Sequence, residues 1–415
     1  MVGDLPAGGG RAVARCDALG VAPYSDMQGG LYRGYLMPAY MAAQQALAGW
    51  MEQAGMAAAR DPAANLIGRY EGTRPDAPAL IIGSHLDSVR DGGRYDGPLG
   101  IMLGVECIAA LHESGKRMPF PIEVIAFGDE EGSRFPAAML TSRAVAGTLA
   151  ADALDLTDAE GVPLANAGVD VATYLQAVRE PGSALAYLEA HIEQGPVLEA
   201  EGLAVGTVTG IAAQLRYEVR VTGMAGHAGT TSMPLRRDAL AGAAEMILLV
   251  ERLARADESD LVATVGKIAA RPGAANVISG QVSFMVDIRS GDPARRDRVA
   301  QATLTEFDRI ATARGLALAS TLIHDLPASP CNGDLMELMD AAIADAGQRP
   351  FRLVSGAGHD AMVMAALCPT AMLFVRCRGG ISHHPAEHVE PADAETALRV
   401  MLGFITRLGE NFGRA

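Results

Sequence analysis

Cysteine is sparse and forms no recognisable motif. Cys16, Cys107, Cys331, Cys368 and Cys377 are scattered and odd in number, with no CxxC pair. This argues against a disulfide framework and a thiolate zinc site, and fits a reducing cytoplasm. Long apolar runs are also missing. The longest, residues 361–375, is interrupted by Pro369 and is too short to span a bilayer. It reads as a buried helix end followed by a strand. No basic segment followed by an apolar one opens the chain, so no signal peptide is expected. Positive charge is in deficit, with 34 Lys and Arg against 49 Asp and Glu and a net charge of −15. That balance argues against nucleic acid or an anionic membrane as a partner. It leaves room for an anionic small substrate, because a buried pocket sets its own potential. A GxSxG elbow, a Walker A loop and HExxH are absent, as are internal repeats and low-complexity tracts.

What is present is ample core material. Of the 415 residues, 49% are hydrophobic and 20% charged, enough for one large or two ordinary domains. The first ten residues are glycine-rich and read as a loose tail. Residues 39–54 have helical apolar spacing and stop at Gly55. Residues 78–83 and 122–127 read as buried strands, and Pro98 suits the first position of a helix ending near Ser114. Acidic residues at strand ends suggest an open α/β sheet with its ligand at the carboxyl ends of the strands. Residues 214–325 differ in texture. Alternating Leu215, Tyr217, Val219 and Val221 mark a half-exposed strand. A helix over 236–253, strands over 261–269 and 277–289, a helix over 293–313 and a strand over 316–324 follow. That order is βαββαβ, the ferredoxin-like pattern, read as a domain inserted into the larger one. Residues 326–330 serve as its outgoing linker.

The nine histidines fall mostly in dense polar motifs. In Ser84-His85-Leu86-Asp87, residues two apart on extended chain point the same way. Asp87 can then hold the tautomer of His85 while the other ring nitrogen binds a metal. The plainer alternative is a histidine hydrogen-bonded at a strand end. Asp96 sits among Gly92, Gly93 and Gly97, which permit a tight backbone around its carboxylate, although ordinary turn aspartates look the same. Glu130 and Glu131 are adjacent acids whose repulsion a cation would relieve, unless they form a solvated loop. One of them can bind metal while the other takes a proton from water. His191 and Gln194, in HIEQG, are a candidate ligand and a candidate contact to a ureido or carboxylate group, or simply a polar loop. Residues 380–388 hold the densest histidine cluster. Its HxxEH spacing is not a helical zinc motif, because Pro385 lies inside it. The loop Ser355-Gly356-Ala357-Gly358-His359-Asp360 does not suit a dinucleotide but can place backbone N–H groups near an anion. Taken together, His85, Asp96, Glu131, His191 and His383 are candidate ligands, with Glu130 left as base. Nitrogen and oxygen donors without thiolate suit Zn²⁺, Mn²⁺ or Co²⁺. Arg289 ends an alternating strand and can clamp a carboxylate, or be a surface arginine.

The motifs GSHLDSVRDGGRYDGPLG, GDEEGSRF, HIEQGPVLE, GHAGTTSMPLRRDAL, NVISGQVSFMVDIRS, SGAGHDA and GISHHPAE resemble, in one order over almost the whole chain, the M20-type metallopeptidase superfamily. Within it they resemble the hydantoinase/carbamoylase amidases. The resemblance implies an α/β catalytic domain with a mixed sheet flanked by helices, over 1–212 and 329–415. It implies an inserted ferredoxin-like lid and dimerisation domain over 213–328. Two divalent ions, Zn²⁺ or Mn²⁺ with Co²⁺ possible, would be bridged by Asp96, with His85 and His191 on one side and Glu131 and His383 on the other. Glu130 would be the general base and Asp87 would orient His85. His227 would act from the partner subunit of a homodimer on the developing oxyanion. Asn276 and Arg289 would bind the substrate carboxylate, with Gln194, Gly356, Gly358 and His359 lining the pocket. The substrate would be a small carboxylate-bearing ureido compound. Residues 15–25 and RYDGPLG lean toward allantoate, hydrolysed to ureidoglycine, ammonia and CO₂. An N-carbamoyl-L-amino acid or β-ureidopropionate is the alternative, and an M20 aminoacylase or dipeptidase substrate a more distant one. Ser232 and Ser279 stand where the family carries proline, and His384 where it carries asparagine.

Overall fold

The computed structural model describes residues 6–74 and 76–412. The chain forms two compact units. The first comprises the chain up to Thr209, Cys331–Leu353 and everything from Ala357 on; the second is Gly210–Pro330 with Val354–Gly356.

The first unit is built on a mixed sheet flanked by helices. The strand order is Ala57–Arg60, Leu66–Tyr70, Ile122–Phe127, Ala79–His85, Ala184–Ile192, Thr370–Val375, Val205–Ile211. Ala79–His85 runs parallel to Ile122–Phe127 and to Ala184–Ile192, which is parallel in turn to Thr370–Val375. Every residue of Ala79–His85, Ile122–Phe127 and Thr370–Val375 is buried. Burial on both faces is why these strands read as continuous apolar runs and not as alternations. The helix Pro98–Glu113 opens on a proline after Gly97, whose φ is 85°. A Cβ on Gly97 would lie 2.4 Å from the His85 carbonyl oxygen. Glycine therefore lets this helix begin against the end of the strand that carries His85.

The glycine-rich start differs from the expected tail. Residues 1–5 lie outside the described residues, and Gly9–Leu19 is a helix. The N–H groups of Gly8 and Gly9 donate to Glu106 and Glu395, and Arg11 and Arg15 pair with Glu106. A Cβ on Gly9 would lie 2.1 Å from the Glu395 backbone nitrogen. The glycine is there for close approach, a use that composition does not separate from slackness.

The second unit is a four-stranded antiparallel sheet in the order Ala317–Leu326, Ala213–Thr222, Gln281–Ser290, Val262–Arg271. The helices Ala239–Asp257 and Pro293–Ala313 connect the strands in the split βαβ pattern. Leu215, Val219, Val221, Phe284, Val286 and Ile288 point to one face and pack with Met246, Leu249, Phe307 and Ile310 of the helices. Polar residues alternate onto the other face. The single strand expected over 277–289 is two pieces, Val277–Ile278 and Gln281–Ser290. A Cβ on Gly280 would lie 2.9 Å from the Ala225 nitrogen, so the ladder breaks there. Val277 and Ile278 pair instead with His227 and Gly226. The expected linker also holds a short strand, Ser329–Pro330, paired with Ile211 and Gly210. Among the described residues no helix is long and apolar enough to cross a membrane.

Candidate metal centre

Three neighbouring parallel strands of the first unit deliver the donors. Ala79–His85 ends on His85, Ile122–Phe127 is followed by Asp129, Glu130 and Glu131, and Ala184–Ile192 carries His191. This is the carboxyl end of the sheet, where open α/β folds hold ligands. Asp96 comes from the loop before the helix Pro98–Glu113, and His383 from the segment after Thr370–Val375.

The carboxylate of Asp96 is the meeting point. Its Oδ1 lies 3.1 Å from His191 Nε2 and 3.4 Å from His85 Nε2. Its Oδ2 lies 3.2 Å from His383 Nε2, which is also 3.2 Å from Glu131 Oε1. One oxygen thus faces a pair of imidazoles and the other faces an imidazole with a second carboxylate nearby. The groups His85, Asp96, His191 and Asp96, Glu131, His383 each bring three donor atoms within 4.8 Å, as do His85, Glu130, Glu131. All five expected ligands and Glu130 fall in these groups. His191 Nδ1 donates to the Ile192 carbonyl at 2.9 Å, which leaves Nε2 as the ligand nitrogen.

Asp87 is placed differently from a simple imidazole holder. Its carboxylate stands 3.8 Å from His85 Nδ1, while its own backbone oxygen is at 3.2 Å. Instead Oδ1 and Oδ2 accept the N–H groups of Glu130 and Glu131, at 3.2 and 3.4 Å. Asp87 therefore ties the two-glutamate loop to the strand end that carries His85. Gln194 donates to Asp96 Oδ2 at 2.9 Å and to Ser382 Oγ at 3.1 Å. His359 is buried, with its ring centroid 4.4 Å from that of His191. Gly358 is close enough to Met139 that a Cβ would lie 2.7 Å from its methyl carbon.

The electrostatics follow from so many acids in a buried space. Burial alone would make His85 less basic, but Asp96, Glu130 and Asp87 outweigh it and hold its pKa well above the usual range. Hydrogen bonds to Asp96 and Glu131 raise His383 to about 10. Burial opposes the ionisation of Asp96, yet His191, His383 and His85 hold it well below the usual carboxylate range. Burial pushes Glu130 well up and lifts Asp87 to about 6. The acids nearby thus favour the protonated form of His85, His191 and His383. Divalent cations would balance the acids equally, with the ring nitrogens deprotonated and free to ligate. Three imidazoles and two carboxylates without thiolate match Zn²⁺ or Mn²⁺. The residues fit such ions.

The remaining expected site residues lie in the second unit. His227 is exposed, and its Nδ1 accepts the Gly229 N–H at 3.0 Å, so Nε2 carries the proton and is the donor. Asn276 is exposed, and its carbonyl accepts from Ala228. Arg289 donates to Asp287 at 2.7 Å and to the Gly356 carbonyl at 2.5 Å, while Arg216 holds the same aspartate at 2.7 Å. Arg216, Lys267, Met285, Asp287 and Arg289 line a cavity of about 580 Å³.

Some contributors were not singled out from sequence. Ser382 Oγ donates to Asp96 Oδ2 at 2.6 Å. Glu189 accepts from Ser84, Tyr187 and the Ala361 N–H, and with His191 and His359 it forms a fourth donor group. The signal was an acid two residues before His191 in an otherwise apolar strand, a spacing that puts both on one side.

The sequence matches the family described as Peptidase family M20/M25/M40 over residues 81–407. The chain belongs to the M20 family. This M20 protein is 43% identical to an N-carbamoyl-L-amino acid amidohydrolase of Geobacillus stearothermophilus, over 89% of this chain and 91% of that one. It is 40% identical to allantoate deiminase 1 of Glycine max, over 96% of this chain and 89% of that one. A solved hydantoinase/carbamoylase family amidase from Burkholderia multivorans superposes with a TM-score of 0.89 at 34% identity, covering 97% of this chain and 98% of its own. The protein is an M20 amidohydrolase acting on C–N bonds other than peptide bonds.

Proposed function

We propose that this amidohydrolase cleaves a ureido group of allantoate, releasing ammonia and CO₂ and leaving ureidoglycine. The observation that carries the mechanism is Asp96, whose two oxygens face separate donor sets. His85 and His191 would hold one divalent ion and Glu131 and His383 the other, with Asp96 between them. Bound ions supply Lewis acidity toward the ureido carbonyl and make water easier to deprotonate. The chain's own residues do the rest. Glu130, buried and raised in pKa, takes the proton from the attacking water and returns it to the leaving nitrogen. The water oxygen adds to the ureido carbon, and collapse of the tetrahedral oxyanion breaks one C–N bond and releases ammonia. The carbamate left on the other nitrogen then takes up a proton and loses CO₂, giving ureidoglycine.

The second unit supplies recognition in this reading, as lid and dimerisation domain. Arg289 and Asn276 bind the substrate carboxylate, and the Nε2–H of a partner copy's imidazole at position 227 donates to the oxyanion. Gln194, Gly358 and His359 line the pocket. The 40% identity to an allantoate deiminase over 96% of the chain supports the substrate. The 43% identity to an N-carbamoyl-L-amino acid amidohydrolase favours that class as the second reading. The five cysteines are free and buried, which supports a cytoplasmic location. The test is ammonia release by Mn²⁺-loaded protein from allantoate and from N-carbamoyl amino acids in parallel. Turnover of allantoate well above the others is expected. Preference for the carbamoyl amino acids would move the substrate and leave the metal chemistry in place.

A further inference from the structure

The Asp96 loop is fastened by a residue far along the chain. Glu387 Oε1 accepts the backbone N–H of Tyr95 at 2.7 Å and that of Asp96 at 3.0 Å. Glu387 is buried, and its other oxygen has no hydrogen-bond partner among the described residues. A buried carboxylate is costly to desolvate and persists where its hydrogen bonds fix something. Gly93 shows how closely it is fitted, because a Cβ there would lie 2.1 Å from the Glu387 carboxyl carbon. The glycine run before Asp96 thus leaves space for this carboxylate. Tyr95, between the two, is buried and anchored by its hydroxyl to Asp17 at 2.8 Å, with its ring edge-on to His388.

Glu387 also belongs to the segment that carries His383. Its backbone N–H donates to the His384 carbonyl, closing a turn four residues past the candidate ligand. One carboxylate therefore joins the backbone of the Asp96 loop to the segment that presents His383. We propose that Glu387 is a positioning residue that fixes the Asp96 backbone, and through it the orientation of that carboxylate between the two donor sets. The proposal rests on the reading of Asp96 as the shared metal ligand.

Three substitutions separate positioning from space-filling. Glu387→Gln keeps a carbonyl oxygen able to accept both N–H groups. Glu387→Met fills similar volume and accepts nothing. Gly93→Ala keeps Glu387 but drives a methyl into its carboxylate. The readout is Mn²⁺ affinity of the full-length protein, measured by titration against a chelating indicator without substrate. Loss of a group that orients a ligand costs about 10–100-fold in metal affinity. Glu387→Met and Gly93→Ala should both show that loss, and Glu387→Gln should stay within about threefold of wild type on the same scale. Equal Mn²⁺ affinity for the Gln and Met variants would overturn the proposal. So would wild-type affinity in Gly93→Ala, a result that stands even if the Met variant does not fold. A wild-type chain that binds no Mn²⁺ would instead overturn the metal reading itself.

Discussion

In the first unit His85, Asp96 and His191 are buried, Glu131 is half-buried and His383 is exposed, and all five donors face one another around Asp96 and Glu131. In the second, His227 and Asn276 are exposed and Arg289 is already occupied by Asp287 and Gly356. The first arrangement is preorganised. Its acids lie close enough to shift one another's ionisation, which is costly unless a cation or protons compensate. The second is adjustable, because an arginine that holds an internal carboxylate can exchange it for another. In the proposed reading, chemistry falls to the sheet end of the first unit and recognition to the polar sheet face of the second.

Substitutions in the two units should fail in different ways. The largest effect is expected from Glu130→Gln, which removes the base and keeps the shape. Its kcat should fall by about 10²–10⁴-fold with bound metal unchanged. A variant that loses metal as well would place Glu130 among the ligands. Next is His227→Ala, with a loss of about 10²–10³-fold in kcat, the usual cost of an oxyanion donor. Mixing it with Glu130→Gln sharpens the comparison. If His227 acts across a two-fold axis, a mixed dimer regains one intact site and activity returns. No recovery would keep His227 within its own subunit or outside catalysis.

A smaller effect is expected from Arg289→Ala. Losing a charged hydrogen-bond donor costs about 1.5–3 kcal/mol, so kcat/KM should drop roughly 10–100-fold with metal affinity intact. Unchanged kcat/KM would remove Arg289 from recognition. The last effect is on pH, and it is read in metal affinity and not in rate. His383 stands at about 10 against an ordinary 6.5. Its proton stabilises the bare fold fully below 6.5, and that contribution is lost as pH rises toward 10. Metal must displace this proton, so affinity should weaken as pH falls from about 9 to about 6. Calorimetry in buffers of different ionisation enthalpy should register proton release; metal uptake without it would contradict the assignment of His383.

Much of this was legible in the residues. Fully buried parallel strands write themselves as apolar runs, and the acids and histidines at their ends stand out against them. Ile122–Phe127 and the helix Pro98–Glu113 are readable for that reason. Close approach is harder to read. Gly9 and Gly280 look like slack in a sequence, and each is a place where two backbones touch. The bonds of Asp87 to Glu130 and Glu131 and of Glu387 to Tyr95 and Asp96 were hidden for a related reason. They end on backbone N–H groups, which every residue but proline carries. Spacing can suggest which side chains meet one another, but it carries no mark of which backbone they hold.

The most direct test of the central claim is to count metal ions on the chain and on Asp96→Asn after extensive dialysis. The account predicts two divalent ions per wild-type chain, and loss of both from the variant, because one carboxylate serves both positions. A wild-type chain that holds a single ion, or an Asp96→Asn chain that keeps both, would contradict it.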